Sequence, residues 1–391
     1  MKAKLNLPRP DAESLARSET LKARIVAAIR RNGPMPFSEY MQKALYTPGL
    51  GYYSGPAPKL GAEGDFVTAP ERSPLFGQCL ARQVAEVLDT LTDGHLLEFG
   101  AGSGRLARDL LHTLAELDAL PERYQIMEVS GELAARQRTF LREELSPELF
   151  ARVEWLERLP DAGWHGVVVA NEVLDAMPVE RLRLTPDSAV RLGVDEQDGE
   201  LVECELPITD ATLQRVADGL RPLAQPDRHG YVAEVNLNIH PWLKSLADFM
   251  EQGAVLLIDY GFAQQELYQP ARSKGSLRCF WQHRVHDNPL LWPGLQDITA
   301  HVDFTEVAES GFDAGFRVAG FTTQAHFLMS TGLLESVPTD LPVVDQLRLA
   351  QEIKTLTLPD EMGEVFKVMA LTRGIDRPLM GFQLMDLRHL L

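Results

Sequence analysis

Only three cysteines occur in the 391 residues, Cys79, Cys204 and Cys279, and no two stand close enough to form a CxxC pair. That spacing argues against a disulfide framework and a thiolate metal cluster, and implies reduced thiols. Long apolar runs are missing too. No stretch approaches the roughly 20 uninterrupted apolar residues of a membrane span, and the first residues lack the apolar core of a signal peptide. Membrane insertion and secretion are disfavoured, and a soluble cytoplasmic protein is expected. Basic residues are scarce: 38 Lys and Arg face 56 Asp and Glu, a formal charge of −18. Such a field repels phosphate backbones, so nucleic acid is a disfavoured partner, while a basic protein segment would be attracted. Acidity of this kind also serves solubility alone. Internal repeats and low-complexity tracts are absent.

What is present is a 45% hydrophobic content spread along the whole chain, enough for a sizeable core in one large domain with appendages or in two domains. Residues 14–31 carry apolar side chains at helical spacing and stop at Asn32-Gly33-Pro34. Residues 46–70 are crowded with glycine, proline and aromatics and read as a long loop. Helical periodicity returns over 74–91 and leads into a buried strand, His95 to Phe99. Strands and helices then alternate: helix 104–118, strand 124–129, helix 131–145, strands 152–156 and 166–170. This is the rhythm of a parallel α/β sheet. From about Val179 to Val235 the pattern changes to short antiparallel strands followed by a helical stretch. The sheet resumes with a helix near 240–252 and a strand at 254–261. A loop-rich segment leads on to 316–324, and a last candidate strand covers 365–372.

The most informative string is LLEFGAGSGRLARDLL, residues 96–111. A strand that runs into Gly100, Gly102 and Gly104 and then a helix puts bare backbone where a ligand must come close. The unpaired N–H groups of the helix start lie beside it. A dinucleotide loop requires G-x-G-x-x-G, but from Gly100 the last position is Arg105 and from Gly102 it is Ala107. The spacing is instead G-x-G-x-G, preceded two residues earlier by Glu98. This pattern resembles motif I of the class I methyltransferases, whose loop holds the methionine and ribose portions of S-adenosylmethionine. Glu128, at the end of the next strand, stands where that fold places a carboxylate for both ribose hydroxyls.

Five further strings, GLGYYS, GDFVTAPERSPLFG, NEVLDAMPVER, IDYG and GSLRCFWQHRVHDNPLLWPGLQDITAHVDF, occur in this order between residues 49 and 304. Together they resemble the MidA-like proteins, a class I methyltransferase family that includes the mitochondrial protein-arginine methyltransferase needed for assembly of respiratory complex I. The resemblance implies a Rossmann-like methyltransferase sheet with an added helical region, S-adenosylmethionine as cofactor, and a protein arginine as acceptor, with a subunit of the NADH-quinone oxidoreductase as a candidate partner. The corresponding division is an N-terminal helical region with a lid loop (1–92), a first part of the core (93–178), an inserted subdomain (179–235), and a second part with the C-terminal region (236–391). Methylation of RNA or a small molecule, and an assembly chaperone that holds the cofactor, are the competing readings. Oligomeric state cannot be read.

Methyl transfer is an in-line displacement at a sulfonium, so alignment and exclusion of water matter more than a metal or a nucleophile. A guanidinium acceptor is difficult because its pKa exceeds 12, and stripping its proton at pH 7 costs roughly 7 kcal/mol or more. Carboxylates that bind two of its nitrogens leave the third directed at the methyl group. Asn171, Glu172 and Asp175 cluster at the expected carboxyl end of the fourth strand, where open α/β sheets bind ligands. Glu172 is the first candidate, with Asn171 on the cofactor side; a helix N-terminal acid is its bland reading. Glu180 could pair with Glu172, as two glutamates on one loop do in other arginine methyltransferases, but its spacing differs and a solvated charge is the simpler reading. Asp259 closes the next strand and could line the acceptor channel, with loop packing as the alternative. Asp65 and Thr68 lie in a glycine-flanked loop suited to a lid over the cofactor. His301 is a further active-site candidate. His283, His286, His301 and Asp303 offer metal-ligand types, but in an irregular loop that favours no shared site.

Overall fold

The computed structural model describes residues 7–55, 68–337 and 341–391. The chain forms two compact units. The first comprises residues 1–66, 175–238 and 262–302, and the second comprises residues 67–174, 239–261 and 303–391. Among the described residues no helix is long and apolar enough to cross a membrane.

The second unit is built on a mixed sheet. Its strands are β1 (His95–Phe99), β2 (Tyr124–Met127), β3 (Val153–Leu156), β4 (Trp164–Asn171), β5 (Met250–Phe262), β6 (Arg317–Thr323) and β7 (Phe366–Arg373). They lie in the order β3-β2-β1-β4-β5-β7-β6. β1 through β5 pair in parallel, and β7 runs antiparallel to both its neighbours. The central strands read as continuous apolar runs because both faces are covered: Leu96, Val167, Val169, Leu256 and Ile258 are buried in one core with residues of the flanking helices. These helices include α1 (Pro74–Leu88), α2 (Arg105–Glu116) and α3 (Gly131–Glu144), while α4 (Ile239–Phe249) contributes none of the described residues of this core. α1 starts at Ser73, whose hydroxyl accepts from the N–H of Leu75, with Pro74 in the first turn. α3 starts at Ser130, which accepts from Leu133. The alternating α/β pattern expected from the sequence is therefore observed, with element ends displaced by a few residues.

Register places the active end of this sheet. Phe99 of β1 stands opposite Met127 of β2 and Ala170 of β4, and Asn171 of β4 stands opposite Ile258 of β5. Three parallel strands, β1, β2 and β4, thus end almost level, with β5 running on to Phe262, at the point where the strand order reverses between β1 and β4. Open α/β sheets bind ligands at such a crevice.

The first unit is largely antiparallel. Strands Glu180–Leu184, Ala189–Gln197, Glu200–Leu206 and Tyr231–Val235 pair with Met35–Pro36 in one sheet. The helix Ala211–Ala224 shares a core with it through Leu213, Ala217 and Leu220. Helices Ala12–Asn32 and Phe37–Tyr46 pack in a second cluster with Cys279, Ile298 and Ala300. The H-x-x-H string, expected in an irregular loop, lies instead in a β-hairpin. Arg278–Trp281 pairs with Arg284–His286 across Gln282 and His283, both with positive φ. Two left-handed residues are what a tight two-residue hairpin turn demands. His286 is buried in the second strand, and its Nδ1 accepts from the N–H of Asn288.

Candidate active site

The glycine loop leaves β1 at Phe99 and enters α2 at Gly104. Gly100, Gly102 and Gly104 all have positive φ, at 66°, 54° and 89°. Each therefore sits where an L side chain is disfavoured, a conformational demand beyond the need for close approach. A Cβ on Gly104 would also come within 3.2 Å of the Phe140 ring. Gly104 caps α2 without a side chain, and the first helical N–H, that of Arg105, donates to the Ser103 hydroxyl at 3.3 Å.

Glu98 precedes this loop and is 2% exposed. Burial pushes its carboxyl up to about 7; the Tyr124 hydroxyl donates to it at 2.7 Å and opposes that shift, while the nearby charge of Glu128 adds to it. Glu98 thus lies beneath the loop, facing Tyr124. Its linkage has a definite sign. Between pH 4.5 and 7 the folded protein keeps a proton that the unfolded chain releases, so this group's contribution to stability falls as pH rises. The difference from the ordinary 4.5 corresponds to about 3 kcal/mol. Glu98→Gln should remove that slope. Urea unfolding of both proteins at pH 4.5 and 7.5 checks this, and equal pH dependence in the two would show that Glu98 ionises normally.

At the end of β2, Glu128 is half-buried. Its Oε1 accepts from the N–H of Ser130 at 2.9 Å and its Oε2 from the Gln137 amide at 2.9 Å. Gln137, two turns into α3, carried no mark as a site residue in the sequence. The available signal was a polar side chain on the inward register of that helix, with Ala134 and Leu141.

β4 ends at Asn171, and Glu172 then adopts a left-handed backbone, φ 53°. That is uncommon for glutamate and tends to mark functional turns. No helix begins here, so the helix-N-terminus reading of Glu172 fails. The N–H of Glu172 donates to the Ile258 carbonyl at 2.9 Å, and the Asn171 amide reaches its carboxylate at 3.3 Å. Asn171 Oδ1 is buried and has no protein partner among the described residues. Asp259, expected to line the acceptor channel or to pack the loop, is held by backbone. Asp259 is 1% exposed; Oδ2 accepts from the N–H groups of Val173 at 3.2 Å and Leu174 at 2.8 Å, and Oδ1 from that of Tyr260 at 2.8 Å. It braces the turn that carries Glu172.

Thr68 stands at the N-cap of a short helix, Ala69–Arg72, that begins on its carbonyl; Asp65 lies outside the described residues. Glu71 of this helix was also unmarked in the sequence. It accepts from the Ser103 hydroxyl and pairs with Arg105 at 3.0 Å, which fastens the helix to the glycine loop.

Asp175 and His301 belong to the first unit. Asp175 is buried, and its charge helps raise the phenol of Tyr53, which burial chiefly raises. The Tyr53 hydroxyl donates to Asp297 at 2.9 Å. The His301 ring lies 5.4 Å from that of Phe262, and the backbone N–H of His301 donates to the Ser276 hydroxyl at 3.3 Å. The reading of Glu180 as a solvated charge is wrong. Strand alternation turns it inward with Leu182 and Leu184, and it is 6% exposed. Arg191 pairs with both its oxygens, at 2.6 and 2.5 Å, and the Ser38 hydroxyl donates to it at 2.6 Å. A buried carboxylate needs such compensation. Among the described residues no three His, Cys, Asp or Glu side chains converge on a possible metal site.

A parallel sheet with a G-x-G-x-G turn after its first strand and an acid at the end of its second defines the S-adenosylmethionine-dependent methyltransferase class. The residues fit that cofactor: three left-handed glycines bare the loop, and the buried Asn171 oxygen leaves an acceptor beside it. A family model for S-adenosyl-L-methionine-dependent methyltransferases matches residues 79–322. The chain belongs to this family, the MidA-like methyltransferases. A Burkholderia thailandensis protein solved with S-adenosyl-homocysteine bound is 43% identical, with a TM-score of 0.93 over 99% of this chain and 100% of that one. The Drosophila melanogaster protein named protein arginine methyltransferase NDUFAF7 homolog, mitochondrial, is 30% identical across 96% of this chain and 91% of its own length. The Rattus norvegicus mitochondrial protein arginine methyltransferase NDUFAF7 is 29% identical, across 88% and 82%. This protein is therefore an S-adenosylmethionine-dependent methyltransferase. The expectation of a cytoplasmic location is overturned by these relatives, which are named mitochondrial. That no helix among the described residues is long and apolar enough to cross a membrane does not distinguish one compartment from another.

Proposed function

We propose that the protein methylates an arginine side chain of a protein substrate, with Glu172 as the carboxylate that orients the guanidinium. The observation that carries this reading is the left-handed turn at Glu172, held by the Ile258 carbonyl and by Asp259 at the end of β4, one strand from the glycine loop. A carboxylate there supplies what the difficult acceptor requires: charge-assisted hydrogen bonds to two nitrogens that retain the positive charge, with the third nitrogen left nucleophilic. S-adenosylmethionine supplies the methyl group on a sulfonium. Gly100, Gly102 and Gly104 bring backbone to it, Glu128 accepts from its ribose hydroxyls, Asn171 faces it from β4, and Thr68 belongs to the covering segment. Asp259 acts through the backbone it braces.

The acceptor we propose is a subunit of the NADH-quinone oxidoreductase. The family resemblance and the relatives' names as arginine methyltransferases support this, and the charge of −18 favours encounter with a basic segment. If the acceptor arginine is covered in the assembled complex, the subunit should be modified before assembly, and methylated faster alone than in the intact complex. Mass spectrometry of the subunit arginines from cells with and without the gene tests this. Gene-dependent methylarginine is expected; identical unmethylated peptides in both would place the target elsewhere.

A further inference from the structure

Gln137 is fully buried, yet its side chain spans three separate parts of the second unit. Its Nε2 donates to the Gly102 carbonyl in the glycine loop at 3.0 Å and to Glu128 Oε2 at the end of β2 at 2.9 Å. Its Oε1 accepts from the indole N–H of Trp155 on β3 at 3.0 Å. The orientation of the amide is forced. An indole N–H can only donate, and a carbonyl and a carboxylate can only accept, so a flipped amide would lose all three bonds.

We propose that Gln137 is a positioning residue that locks the Glu128 carboxylate to the glycine loop, so that one amide sets both parts of the nucleoside site. The inference rests on the reading of Glu128 as the acceptor for the ribose hydroxyls. Ser130 holds one carboxylate oxygen and Gln137 the other. Two separate anchors fix the plane of a carboxylate, where one leaves it free to rotate, and a vicinal diol requires that plane to be fixed. Because the same amide holds the Gly102 carbonyl, any displacement of the loop is carried to the ribose acid. Gln137 touches no ligand in this account and acts through Glu128 and Gly102.

The readout is the ratio of affinities for S-adenosylhomocysteine and its 2′-deoxy analogue, measured by calorimetry on the full chain. Gln137→Leu should lower this ratio about tenfold, because the bond lost is one to a charged group. Gln137→Glu, nearly the same shape, sets two carboxylates side by side. It should show the lowered ratio at pH 8 and recover toward the wild-type ratio at pH 6, where the new acid regains a proton and can donate to Glu128. Taking each value relative to wild type at the same pH removes any common titration. Should Gln137→Leu fail to fold, the two pH values compare Gln137→Glu with itself. A Gln137 that merely fills space would weaken both ligands equally, and an unchanged ratio in both variants overturns the proposal when Glu128→Ala has lost it. If Glu128→Ala keeps the wild-type ratio, the ribose reading of Glu128 fails first and the inference falls with it.

Discussion

Gly102→Val is expected to weaken S-adenosylhomocysteine binding by about a hundredfold or more while the protein stays folded. Gly102 has φ 54°, and a β-branched residue held there carries strain on the order of 1–3 kcal/mol. The loop can relieve that strain only by moving. Movement displaces the Gly102 carbonyl from Gln137 and brings a side chain into the space the ligand needs. Both effects fall on binding, where each factor of ten corresponds to about 1.4 kcal/mol. The core beneath is made by Leu96, Leu106 and Leu110, which the substitution does not touch. Calorimetry gives the affinity and thermal unfolding reports the fold. Normal binding by Gly102→Val would mean that this loop is not the cofactor loop.

Glu172→Gln should lose about a hundredfold in methyl transfer to protein, with cofactor affinity within a few-fold of wild type. Removing a charge that stabilises the oriented acceptor in the transition state costs about 3 kcal/mol. Glutamine is close in shape, tolerates the left-handed backbone about as well, and keeps an oxygen for the Asn171 amide. Lost charge is therefore separated from lost structure. A fall in kcat with unchanged cofactor KM is the expected pattern, and equal turnover by the two proteins would remove Glu172 from the mechanism.

The parts of this molecule that the sequence made legible are those whose physics is local. β1, β4 and β5 stand out because parallel strands covered on both faces must be apolar throughout, and the glycine loop because its backbone excludes other residues. The parts that stayed hidden depend on partners far along the chain. Nothing in the string around Glu180 reveals that Arg191 will meet it across a hairpin, so a buried pair read as a solvated charge. Asp259 likewise shows no local sign of its bracing role, because two of the three N–H groups it holds lie 85 and 86 positions away. Gln137 and Glu71 were missed for the same reason. An amide in one helix and an acid in a short helix become part of the site only when the glycine loop folds against them.

Incubating the purified protein with methyl-labelled S-adenosylmethionine and an extract that lacks it, then hydrolysing the labelled fraction to amino acids, tests the central claim most directly. The account predicts label in protein, recovered as methylarginine, and about a hundredfold less of it with Glu172→Gln. Label recovered from nucleic acid or small molecules, with protein arginine unmodified, would contradict it.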